Sequence, residues 1–135
     1  MRKKLWVISC VILLLAGCSD KPQVSTYHVK DNKEEVAKLE KAISDNQKIS
    51  EGSGVFFDHQ VVVSLQVKPM SKFQKRKITK SFEKEVKSLF PKHDVFVSSD
   101  LKITWELDKI IEKKPKNEKL KKELDKIQAL AKEET

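Results

Sequence analysis

The sequence predicts an α+β domain. Its elements are a small mixed sheet of about three strands, helices on one face, and an extra amphipathic helix at the C-terminus. Three observations carry this. Val61, Val63, Leu65 and Val67 alternate with Val62, Ser64, Gln66 and Lys68, the period-two pattern of a half-buried strand. Phe73, Ile78, Phe82, Val86 and Leu89 read as one helical stripe. Leu120, Leu124, Ile127 and Ala131 follow a 4-3-4 spacing in a Lys/Glu-rich background.

The chain has 135 residues, room for one small domain. Its first 17 residues read as a separate segment. Arg2, Lys3 and Lys4 form a positive cluster, and Leu5–Leu15 is an apolar run broken only by Ser9. Eleven such residues are too few to span about 30 Å of hydrocarbon as a helix, but suit the core of a signal peptide. Leu15-Ala16-Gly17-Cys18 follows and resembles the bacterial lipobox. That resemblance implies cleavage before Cys18 and a diacylglycerol on its sulfur. Cys10 then leaves with the signal peptide and no thiol remains, so a disulfide framework, a Cys nucleophile and a Cys metal site are all excluded.

Residues 18–31 are expected to be the lipidated Cys and a polar tether, and residues 32–135 a single domain. Asp31 or Asn32 caps a first helix at about 33–47, with Glu34 and Glu35 at capping-box spacing. Val55-Phe56-Phe57 and Val61–Lys68 form a hairpin. A three-residue loop at 58–60 puts Val55, Phe57, Val61, Val63 and Leu65 on one face, so that register is expected, with Ser64 and Gln66 more exposed. Pro69 ends the strand, Ser71 and Gln74 form a second capping box, and a helix runs to about residue 90 before Pro91. Asp94–Ser98 is a short third strand, with Ser99 or Asp100 available to cap the next element. Residues 101–108 fit both a strand and a helix. The C-terminal helix spans about 116–133, and its apolar seam either packs back on the domain or meets a partner.

The order of lipobox, tether and small α+β domain resembles the sporulation lipoprotein family of the YhcN/YlaJ type, found in spore-forming Firmicutes. The residues that carry this are Val61–Val67, the charged helix 71–90, and Asp94-Val95-Phe96-Val97-Ser98-Ser99-Asp100-Leu101. The resemblance implies a helix at 101–108. It also implies a non-enzymatic lipoprotein at the outer face of the cytoplasmic membrane, in the spore or sporulating cell, with a role in spore formation or germination. Lys68-Pro69-Met70 and the Lys-rich C-terminal helix depart from the family pattern.

No catalytic residue, cofactor or metal site is expected. His28, His59 and His93 share no helical spacing. Asp58-His59 reads as a turn, and Ser98-Ser99-Asp100 as a helix cap without the glycines of a nucleophile elbow. Three glycines cannot supply a phosphate loop.

Charge is the stronger signal. Segment 72–87 holds seven basic and two acidic side chains, a net of +5, and after residue 17 the rest of the chain is neutral. Lys72, Arg76, Lys80 and Lys84 are successive i, i+4 neighbours, a spacing that weakens a helix by a few tenths of a kcal/mol per pair. The expected partner of this stripe is an anionic surface, lipid headgroups or a phosphate-rich wall polymer. Nucleic acid is not expected, because Phe73 and Phe82 are assigned to the core.

Overall fold

The computed structural model describes residues 22–133. The expected signal peptide and Cys18 lie outside the described residues. The class is α+β, with four strands rather than three: β1 (Gln23–His28), β2 (Ile49–Phe57), β3 (Gln60–Val67) and β4 (Asp94–Ser98), in spatial order β1-β2-β3-β4. The helices are α1 (Lys33–Ser44), α2 (Lys75–Leu89), α3 (Leu101–Lys113) and α4 (Asn117–Glu133), and a 3₁₀ turn at Pro69–Gln74 precedes α2.

β2 and β3 are antiparallel, while β1 runs parallel to β2 and β4 parallel to β3. Each parallel pair needs a crossover, supplied by α1 and α2. The stretch expected as tether thus provides β1, from Gln23 onward. Its apolar residues are few because it is an edge strand, with side chains mostly half-buried.

Helices cover both faces of the sheet, not one. On the first face α1 and α2 bury Leu39, Ile43, Ile78, Phe82 and Val86 against Phe56, Val61, Val63, Leu65 and Val97. On the second, α3 and α4 bury Ile103, Leu107, Ile110, Leu120, Leu124 and Ile127 against Val55 and Val62. The C-terminal helix packs back onto the domain.

The expected hairpin register is wrong. Phe57 pairs with Gln60, Phe56 with Val61 and Val55 with Val62, around a two-residue loop of Asp58 and His59. Asp58 takes a left-handed backbone, φ 49°, which such a tight turn requires and Asp tolerates. The three-residue loop followed from assuming that one face of the hairpin meets water. Both are covered, so Ser64 is fully buried, its hydroxyl without a hydrogen-bond partner among the described residues, and Gln66 is half-buried. The Gln66 amide donates to Thr104 Oγ1 at 2.9 Å, and Ser53 Oγ donates to Asp108 at 2.7 Å.

β2 begins six residues earlier than expected and contains Gly52 and Gly54. A Cβ at Gly52 would lie 2.7 Å from Ile43 Cγ2, and one at Gly54 would overlap Leu39 Cδ2. The glycines let α1 sit directly on the sheet.

Asn32 caps α1, its Oδ1 accepting from the N–H groups of Glu34 and Glu35. Asp100 caps α3 by accepting from Lys102 N–H, which fixes 101–108 as helix. The expected Ser71 cap does not form. α2 starts at Lys75 after the 3₁₀ turn and has no side-chain cap.

Leu65→Ala on the first face and Leu124→Ala on the second should each lower the unfolding free energy by roughly 2–5 kcal/mol in urea titration. Unchanged stability in the Leu124 variant would contradict the two-sided core. Gly54→Ala should cost about 1–3 kcal/mol through overpacking against Leu39.

Candidate functional site

Of the four helices α2 carries the largest net charge, six basic against two acidic side chains. Its buried stripe is Ile78, Phe82 and Val86, and Leu89 is partly buried beside it. Lys72, Arg76, Lys80 and Lys84 are all exposed, as the sequence implied. Among the described residues none of these four forms an ion pair, whereas Lys87 pairs with Glu83 at 2.9 Å. Glu83 is thereby compensated within the helix. Glu85 faces the other flank, where with Lys77 and Ser81 it lines a groove against α1. The flank toward β4 is lined by Lys72, Lys75, Arg76 and Lys80. Like-charged neighbours in this arrangement raise local potential and favour an anionic partner.

Phe73 does not belong to the core. It is fully exposed, and Met70 beside it is 97% exposed. The signal was present in the spacing: Phe73 precedes Ile78 by five residues, which turns it well away from a stripe of period 3.6. The 3₁₀ turn has three residues per turn, so Met70 and Phe73 lie on the same side.

Folding also gathers a second cluster that the sequence hides. His28 Nδ1 accepts from Lys30 N–H at 3.0 Å, so Nε2 carries the hydrogen donated to Glu35 at 2.8 Å. The other Glu35 oxygen lies 3.7 Å from His93 Nε2. His93 stands edge-on to Phe90 and to His59 across the hairpin tip. These residues come from β1, α1 and the loop before β4, so no spacing rule links them. Among the described residues no group of three or more His, Cys, Asp or Glu side chains is arranged to hold a metal ion. The cluster is a clasp joining three elements. Asp58 and His59 form the hairpin turn, and Ser98 Oγ accepts from Asp100 N–H in the cap before α3.

No family model, curated protein or solved structure matches the chain. Among the described residues no helix is long and apolar enough to cross a membrane.

Glu35→Ala removes the acceptor of a His28 side chain that is only 8% exposed. It should destabilise the domain by about 1–3 kcal/mol in chemical denaturation, the cost of an unpaired buried donor. No loss of stability would mean that the clasp contributes nothing.

Proposed function

We propose that this protein is a non-enzymatic lipoprotein of the spore or sporulating cell. In this reading it is held at the outer face of the cytoplasmic membrane by a diacylglycerol on Cys18 and acts in spore formation or germination. The observation that carries the anchoring is the ordered series at the N-terminus: Arg2-Lys3-Lys4, the apolar run, then Leu15-Ala16-Gly17-Cys18. Two acyl chains suffice for stable anchoring where one does not. The sporulation role rests on the resemblance of Val61–Val67 and Asp94–Leu101 to the sporulation lipoprotein family.

A second reading is a general envelope module that binds anionic lipid or wall polymer through segment 72–87. Lys72, Arg76, Lys80 and Lys84, exposed and without an ion pair among the described residues, favour it. The two are compatible, and expression separates them: the first requires synthesis confined to sporulation, with a germination defect on deletion.

Wild-type protein should incorporate labelled fatty acid, and Cys18→Ala should abolish the label and release the protein from the membrane fraction or stall its processing. Label on the Ala variant, or none on the wild type, would reject Cys18 as the anchor.

A further inference from the structure

The four large apolar side chains that stand exposed among the described residues are Met70, Phe73, Leu101 and Trp105. The topology brings them to one end of the sheet. Because β1 parallels β2, β2 opposes β3, and β3 parallels β4, the starts of β1 and β2 share an end with the finishes of β3 and β4. The 3₁₀ turn with Met70 and Phe73 leaves the finish of β3, and α3, with Leu101 and Trp105 in its first two turns, leaves the finish of β4. Phe73 and Leu101 line one open groove of about 900 Å³ that continues along β4, and its charged lining is Lys72, Lys75, Arg76 and Lys80 with Glu83 and Asp100, a net of +2.

The chain enters the domain at the same end. Gln23, the first residue of β1, is five residues from Cys18. A fully extended segment of that length reaches roughly 17 Å. A lipid on Cys18 therefore keeps this end, not the opposite one, next to the bilayer. Adjacent strands lie about 4.8 Å apart, so β1 and β3 are separated by only about 10 Å across the sheet.

We propose that this end of the sheet is a bilayer-docking face. Met70 and Phe73 enter the headgroup region, Lys72, Lys75 and Arg76 engage anionic headgroups around them, and Leu101 and Trp105 lie at the margin. The proposal rests on the lipoprotein reading for the place of the anchor. It also changes which charges matter. α2 starts at this end and runs toward the other, where Asp94 N–H donates to the carbonyl of His59 in the hairpin loop. At 1.5 Å per residue, Lys84 lies about 12 Å further from the bilayer than Arg76, beyond a Debye length of about 8 Å at physiological salt. The domain stands on its end, and the basic stripe is used from its first turn only.

The test uses residues 18–135 with Cys18→Ser. Among the described residues every core side chain lies between Val24 and Ala131, and this chain retains them all. Binding to phosphatidylglycerol-containing vesicles and to pure phosphatidylcholine vesicles is read by co-sedimentation. It is also read by the emission of Trp105, the sole tryptophan once Trp6 is gone. The wild-type surface should bind only the anionic vesicles, with Trp105 shifting to the blue. Phe73→Ser should lower partitioning about tenfold or more, as loss of a buried aromatic side chain does. Arg76→Gln should lower it about fivefold, and Lys84→Gln by less than about twofold.

Equal effects of Arg76→Gln and Lys84→Gln would overturn the end-on geometry. So would partitioning unaffected by Phe73→Ser, binding to soluble wall polyanion but not to vesicles, or a vesicle-free dimer that Phe73→Ser dissolves. Failure of Cys18 to take up fatty acid is a separate result, because the vesicle assay contains no lipidated chain.

Discussion

The pairing of Phe56 with Val61 across the two-residue turn governs the rest of the molecule. It sends Phe56, Val61, Val63 and Leu65 to one side of the sheet, and Val55, Val62, Ser53 and Ser64 to the other. Each side then demands its own cover. α1 and α2 meet the first as crossovers within the parallel pairs. α3 and α4 meet the second as a helical hairpin closed at Lys114, whose left-handed backbone ends α3. A slip of one residue would exchange the faces and leave both sets of helices against the wrong partners.

The two faces are not chemically alike. The first is apolar, and Gly52 and Gly54 permit α1 to approach where any side chain would collide. The second carries a polar strip under α3. Ser53 and Gln66 find Asp108 and Thr104 there, and Ser64 finds no partner among the described residues. Burying a hydroxyl without a hydrogen bond costs about 1–3 kcal/mol, so that site holds unspent stability. The Tyr27 hydroxyl reaches the Pro115 carbonyl at 2.9 Å and ties the edge strand to the turn between α3 and α4.

Polarity is also arranged along the sheet. One end holds the His28–Glu35–His93 clasp and the hairpin loop, and is held by directed polar contacts. The opposite end holds the start of β1, the exposed apolar side chains and the exposed cations of the first turn of α2. An exposed aromatic adds nothing to folding, and i, i+4 cations weaken the helix that bears them. That the two coincide with the chain entry gives them a common physical rationale at a charged, apolar boundary.

Local pattern was enough to place three of the helices and three of the strands, but at residues 101–108 it fitted a strand and a helix alike. Period-3.6 apolar spacing marks Ile78, Phe82 and Val86, and Leu120, Leu124 and Ile127. Short polar residues before such runs mark the caps at Asn32 and Asp100. The sequence also shows the charge excess on segment 72–87. Three things depended on tertiary structure. The hairpin register did, because alternation reports a half-buried strand only when one face meets water, and here distant helices cover both. β1 did, because an edge strand needs backbone partners more than apolar side chains. The membership of the candidate surface did, because Phe73 and Leu101 line a common groove only when strand directions bring the finishes of β3 and β4 to the same end, a relation between elements that no local window contains.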